Sequence, residues 1–362
     1  MFSAKKAADL TIPKGPGIWD KTEREDKNML KSKEYYQERG AANVALREEI
    51  EKTADQICQE GFGNIFFAGS GGSICMLAPF VEILKKRTTI VSYAEEAADL
   101  LVADYQQLNQ DSLVVVVSKT GDAKEPMDLV RYCREKGIRT VSFVGNNTSP
   151  VYLDSTWKIW IDEEVNAFRY MQLYYFMFRV MHNLGFFPEY DRFCQSVAAL
   201  PMALYDAAVA YEPTARMFSR DYKDEPFILF VSSGIGYGEA FRFASCSLEE
   251  VFHIRTQAMN SAEFFHGCFE IVDEETPVVL IKNEDGARAV DERVEHFLNQ
   301  YAKKYIVVDM KSFAMPGIQE EFRSYFMPAF MNMLLGGLTF SCLQETTGLG
   351  FHTRRYYRVV NY

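Results

Sequence analysis

The chain has no CxxC pair. Its seven cysteines, Cys58, Cys75, Cys133, Cys194, Cys246, Cys268 and Cys342, are scattered and odd in number. That argues against a disulfide framework and fits reduced, mostly buried thiols in a cytoplasmic protein. Histidine is scarce, with five in 362 residues, and no His/Cys group has ligand spacing; no metal is expected. Residues 1–21 lack the apolar core of a signal peptide. The longest apolar stretch, around residues 326–340, contains Pro328 and Asn332 and reads as too short to span a bilayer. Positive charge is in deficit, with 39 Lys+Arg against 50 Asp+Glu and a net charge of −11. Such a chain repels nucleic acid and anionic membrane, so neither is expected as a partner. A phosphorylated small molecule remains admissible, because a local loop of backbone N–H groups binds an anion against the global field. Neither a Walker A loop nor GxGxxG occurs, which excludes the usual nucleotide grips.

What is present is ordinary globular material, 48% hydrophobic and 25% charged, rich in aromatics with 28 Phe and 20 Tyr. The length suggests two domains. Residues 1–30 read as a polar arm and residues 31–60 as helix. A βα rhythm then begins. Strands are expected at 64–68, 88–93, 112–117, 140–144 and 156–161, with helices between them and a long apolar helix over 165–185. Residues 112–117 (SLVVVV) show no polar alternation, as in a strand covered on both faces. Helix containing Pro201 and Pro213 follows, and a domain boundary is placed there. The rhythm repeats with strands at 226–231, 253–257, 276–281 and 305–309, and helices over 239–252, 287–301 and 321–342. Alternating strands and helices at this spacing imply an α/β fold with doubly wound, mainly parallel sheets. The two halves read as versions of one unit.

Two short loops stand where ligands bind in such sheets, after the carboxyl ends of strands. The first is Gly69-Ser70-Gly71-Gly72-Ser73 and the second Ser118-Lys119-Thr120-Gly121-Asp122. Both combine small residues, hydroxyls and a following helix N-terminus, which suits a phosphate. Taken singly, each also reads as a tight turn or a helix cap. Glu250, near the end of the 239–252 helix, and His266, sixteen residues on, are a carboxylate and an imidazole fit for proton transfer beside a carbonyl. On spacing alone they read rather as a solvated helix end and a satisfied polar residue. His253, three residues from Glu250, is a competing imidazole; His182, His296 and His352 read as structural or surface residues.

The segments FFAGSGGS, VVVVSKTGD and GEAFRFASCSLEE followed by AEFFHG resemble the sugar isomerase (SIS) domain proteins with two such domains in tandem, including the isomerase half of glucosamine-6-phosphate synthase. EFFHG, GARAVDER at 286–293 and the terminal TRRYYRVVNY are similar to the fructosamine-6-phosphate deglycases. The likeness covers about residues 45–362. It implies an N-terminal arm and helix start over 1–44, a first SIS domain over 45–200, a second over 201–345 and a C-terminal tail over 346–362.

By position the resemblance assigns the substrate phosphate to Gly71, Ser73, Ser118, Lys119 and Thr120, with Glu250 as general base and His266 as general acid. Where the family has a threonine after the second loop, this chain has Ala123; Lys124 or a water is expected to take its place. Glu95 and Glu96 stand where the family often has a substrate-facing carboxylate. Glu263 is expected to bind the amino-acid portion or orient His266. The resemblance further implies a homodimer or higher homo-oligomer, with the His-bearing loop reaching the neighbouring subunit and the tail closing over the pocket. The expected substrate is a phosphosugar–amino acid conjugate, processed without a cofactor because the reaction is redox-neutral. Two alternatives stand beside it: an aldose–ketose or aminotransfer-type isomerase, which uses the same loops and pair, and a non-catalytic sugar-phosphate-sensing regulator built on the same fold.

Overall fold

The computed structural model describes residues 30–162 and 164–360; the N-terminal arm lies outside them. Two helices come first, α1 (Lys33–Ala45) and α2 (Arg47–Glu60). The first half follows as β1 (Asn64–Gly69), α3 (Gly72–Arg87), β2 (Ser92–Glu96), α4 (Ala97–Val102), β3 (Ser112–Ser118), α5 (Lys124–Lys136), β4 (Arg139–Val144), α6 (Pro150–Asp154) and β5 (Trp157–Trp160). Its strand order is β2-β1-β3-β4-β5, every pair parallel. All seven residues of β3 are buried, which is why its sequence lacks a polar face.

Two helices then carry the chain to the second half. These are α7 (Arg169–Asn183) and α8 (Tyr190–Asp221). Helix α7 is the hydrophobic axis of the molecule: Tyr170, Tyr174, Tyr175, Phe176 and Phe178 are fully buried. Each such side chain contributes roughly 1.5–3 kcal/mol of transfer free energy. The second half contains β6 (Ile228–Ser232), α9 (Tyr237–Arg242), β7 (Thr256–Asn260), β8 (Val278–Lys282), α10 (Arg288–Tyr301) and β9 (Tyr305–Asp309). Its order, β7-β6-β8-β9, repeats the first four strands of the other sheet, again all parallel. Duplication is therefore visible in topology where it is faint in sequence. The chain closes through α11 (Arg323–Met331), a π-helical stretch (Asn332–Thr339) and α12 (Phe340–Thr347).

Three expectations are corrected. The boundary between residues 200 and 201 falls inside α8, an unbroken helix of 32 residues that contains both Pro201 and Pro213. Proline forfeits one backbone bond, but Pro201 is buried against α1, where a Cβ on Gly40 would lie 2.6 Å from it. The edge strands β2 and β7 start four and three residues later than the apolar runs at 88–93 and 253–257 suggest. Thr88 caps α3 through Leu84 O at 2.8 Å, and His253 turns left-handed with φ 58°, so neither run pairs from its start. Finally, the stretch around 326–340 belongs to a helical run over 320–347 that is long and apolar enough to cross a membrane, but 83% of its most apolar window is buried inside the protein. It is a core helix.

Candidate active site

Strand order reverses between β1 and β3, so the loops leaving these neighbours diverge and open a crevice. The first loop needs its glycines. Gly71 has φ 55° and ψ −124°, a conformation open to glycine alone, and a Cβ on Gly69 would sit 2.9 Å from Ile74 N. The second loop is tied inward. Ser118 Oγ accepts from Gly121 N at 3.1 Å, Gly121 has φ 68° and packs on Ser149, and Thr120 bonds the Asp122 carboxylate. With α3 starting at Gly72 and α5 at Lys124, both helices point their positive ends at the crevice.

The second half reaches over this crevice along one helix. Helix α9 crosses α3 so closely that a Cβ on Gly238 would lie 2.5 Å from Cys75 O. It continues as a π-helix through Phe252, a widened form common at functional sites. Arg242, Cys246 and Glu250 recur every four residues along it and line the cavity together. Arg242 is clamped from behind: its Nη1 donates to Glu239 Oε2 at 3.1 Å. Glu239, 2% exposed, also accepts from Tyr170 OH at 2.7 Å and Asn332 Nδ2 at 3.1 Å. The Cys246 thiol is pushed by burial up to about 11, so it is no thiolate nucleophile at neutral pH. The Glu250 carboxyl lies above the usual range because it is largely desolvated, with Arg354 opposing that rise. A carboxylate tuned upward suits proton abstraction near neutrality.

The tail completes the wall. Arg354 ion-pairs with Glu250 and lies over the rings of Phe351 and Tyr357 at 4.5 and 4.8 Å. Arg358 bonds Thr120 and Asp122 of the second loop. The cavity is about 620 Å³, room enough for a sugar phosphate.

Of the residues expected from sequence, Gly71, Ser73, Ser118, Lys119, Thr120 and Glu250 all line this cavity. His266 does not: it is exposed in the turn after β7, its N–H bonded to Glu263 O at 2.9 Å. The structure thus joins Glu250 and the two loops in one cavity and leaves the His266 imidazole outside it. Glu95 and Glu96 end β2 outside the cavity, and Glu263 is exposed beside His266. Lys124 pairs with Asp128 at 3.0 Å on its own helix; Arg358 bonds Asp122, the residue before Ala123. Arg242, Arg354 and Arg358 were missed as site residues. The four-residue repeat ending at Glu250 would have found the first, and the clustered arginines of TRRYYR the others. Among the described residues no group of three or more His, Cys, Asp or Glu could hold a metal.

The second half supplies an internal comparison. At its own switch point, between β6 and β8, the Asp291 carboxylate accepts from Ser233 Oγ and Ser261 Oγ at 2.6 Å and from Asn283 N at 2.9 Å. All four residues are buried, at 0–2% exposure. Hydroxyls and a backbone N–H hold an internal anion there, whereas in the first half the equivalent crevice stays open.

The model of the SIS domain matches residues 61–183, a stretch that contains the first parallel sheet and both loops. Over 325 residues the chain is 26% identical to the fructosamine deglycase FrlB of Bacillus subtilis, covering 88% of this chain and 98% of that protein. It is 21% identical to the fructoselysine 6-phosphate deglycase of Escherichia coli, over 72% of this chain and 77% of the other. A crystal structure of a candidate phosphosugar isomerase from Bacillus subtilis superposes with a TM-score of 0.82 at 25% identity, covering 89% of this chain and all of that one.

Proposed function

We propose that this chain cleaves a fructosamine 6-phosphate to glucose 6-phosphate and the free amine, typically an amino acid. The coarser statement, that it is an enzyme of the phosphosugar deglycase or isomerase kind, rests on its likeness to such proteins. One observation carries the finer reading: a single cavity holds two anion-binding loops and, at its other wall, a largely desolvated carboxylate, Glu250.

The phosphate anchors at Gly71, Ser73, Ser118, Lys119 and Thr120 and its binding energy orients the reacting carbons. The open-chain substrate has nitrogen on C1 and a carbonyl at C2. Glu250 takes a proton from C1 while an acid protonates the C2 oxygen, giving an enaminol. A proton returned to C2 makes a C1 imine. Water adds to C1, the C–N bond breaks, and glucose 6-phosphate and the amine leave. The acid is His266, contributed by a second copy of this chain across a homodimer interface; its exposure in this chain supports that arrangement. The enzyme works in the cytoplasm.

A coupled assay for glucose 6-phosphate, run on a panel of fructosamine 6-phosphates, tests the reading. Amine release in equal amount supports it. A ketose or aldose phosphate appearing without free amine replaces it with the isomerase reading, and binding without turnover replaces it with a sensor.

A further inference from the structure

The cavity wall beside Glu250 carries one cation that the mechanism above does not use. Arg242 lines the cavity with its side chain 16% exposed. It passes between two glycines from distant parts of the chain. A Cβ on Gly72, at the first loop, would lie 3.0 Å from its Nε, and one on Gly336, in the C-terminal π-helical stretch, 3.3 Å from its Nη1. Only Nη1 has an acceptor among the described residues, Glu239 Oε2 at 3.1 Å. Both oxygens of that carboxylate are engaged behind the arginine: Oε1 accepts from Tyr170 OH at 2.7 Å, and Asn332 Nδ2 lies 3.1 Å from each oxygen. The guanidinium is thus fixed in place, with its Nε and Nη2 N–H groups left for whatever enters the cavity. An ion pair shielded from water repays little of its desolvation cost as stability, so packing alone does not call for an arginine here. The next positions on the helix set the order along the wall. Cys246 has its Sγ 3.7 Å from where a Cβ on Gly71 would stand, and Glu250 follows four residues later. Arg242 and Cys246 both face the first loop, and Glu250 stands beyond them.

We propose that Arg242 is a specificity residue that donates hydrogen bonds to hydroxyl oxygens of the sugar chain, between its phosphate and C1. The inference rests on the phosphosugar reading above, which puts the phosphate on the loops and C1 at Glu250. The carbons that join these two ends then pass the helix face that bears Arg242 and Cys246. Charge decides which atoms the arginine takes. Glu239 offsets its positive charge, so the free edge acts as a fork of aimed donors rather than as a bare cation. Neutral hydroxyl oxygens accept such donors. A phosphate dianion is already served by the hydroxyls and N–H groups of the two loops, and the carboxylate behind Arg242 repels it.

The test reads binding rather than turnover, on the full chain, with two phosphate monoesters of equal charge. Glucitol 6-phosphate carries the hydroxylated chain and ethyl phosphate does not. Dissociation constants are measured by ligand-observed NMR titration for the wild type, for Arg242→Lys, and for the double variant Glu239→Gln/Arg242→Met. The lysine keeps the charge facing Glu239 but loses the fork; the double variant removes both charges, so neither is left buried alone. Urea unfolding identifies the folded variants. The wild type is expected to bind glucitol 6-phosphate more tightly than ethyl phosphate. Both variants are expected to lose about 10–100-fold of the glucitol 6-phosphate affinity, the worth of a hydrogen bond from a charged group, with ethyl phosphate unchanged. Equal losses for both ligands place Arg242 in the phosphate grip and overturn the proposal. Unchanged binding of both by either folded variant makes the arginine structural and also overturns it. Equal affinity of the wild type for the two monoesters removes the hydroxyl contact and leaves the phosphate loops intact. If neither ligand binds the wild type, the phosphosugar reading itself fails, and this inference with it.

Discussion

Arg358 Nη2 lies 3.1 Å from Thr120 Oγ1 and 2.8 Å from Asp122 Oδ1. A residue near the end of the chain is thus seated on a loop of the first half, 238 positions earlier. Asp122 places a negative charge beside the proposed phosphate site. Burial raises its carboxyl, but the bonds from Thr120 and Arg358 outweigh that and hold it below the usual range, so it stays ionised. Arg358 neutralises it.

Removing that neutralisation exposes the bound phosphate to a carboxylate. Arg358→Gln is expected to raise KM for the phosphorylated substrate roughly tenfold, the worth of one charge-assisted bond, with kcat changed less. Inhibition by inorganic phosphate should weaken in parallel. An unchanged phosphate inhibition constant refutes a role for Arg358 in the grip.

The Arg354–Glu250 pair fixes a pH dependence. In the proposed mechanism Glu250 acts deprotonated, so kcat/KM is expected to rise with pH through its pKa. Burial raises that pKa and Arg354 opposes the rise. Arg354→Gln removes the opposition, so the acid limb of the profile should move to higher pH. Movement to lower pH, or none, contradicts Glu250 as the titrating base. Glu250→Gln should lower kcat by about 10²–10⁴-fold while phosphate still inhibits by binding.

Much of this site was legible in sequence, and the limits have physical causes. The two loops and Glu250 stand at strand and helix ends, where local chemistry decides structure: glycine at positive φ, a serine hydroxyl closing its own turn, a break in apolar periodicity. The buried strands read well for the same reason, with β3 within one residue and β9 as expected. The edge strands β2 and β7 read poorly because their burial is partial and capping competes with pairing. Pro201 misled because a helix break is a local inference, and packing against Gly40 overrides it. Arg242, Arg354 and Arg358 were missed because their partners are 69 or more positions away or sit on the helix's hidden face. Arg242, for instance, depends on Glu239, which depends in turn on Tyr170 and Asn332.

That buried carboxylate gives a stability prediction. Glu239 balances Arg242 in a site shielded from water, so Glu239→Leu leaves a cation without its partner. The expected cost is about 3–5 kcal/mol, read as a lower midpoint in urea unfolding. Glu239→Gln keeps the shape and part of the bonding and should cost about 1–3 kcal/mol. Equal stability of the leucine variant and the wild type contradicts an ion pair that holds Arg242 in place.

The remaining prediction concerns His266, which stands outside the cavity that contains Glu250. If the acid comes from a second copy, each active site of a dimer uses Glu250 of one chain and the imidazole of the other. Glu250→Gln and His266→Ala are each expected to be inactive alone. A mixed dimer of the two holds one site in which both groups are native and one in which both are lost. Random mixing makes half the dimers mixed, so co-expression of the two variants should restore about a quarter of the wild-type sites. If both groups act within one chain, every site in every dimer lacks one of them and no activity returns. Size-exclusion chromatography with light scattering, run on the same samples, separates failure to complement from failure to dimerise: a monomer removes the shared site, and a dimer without complementation places the acid elsewhere in the same chain.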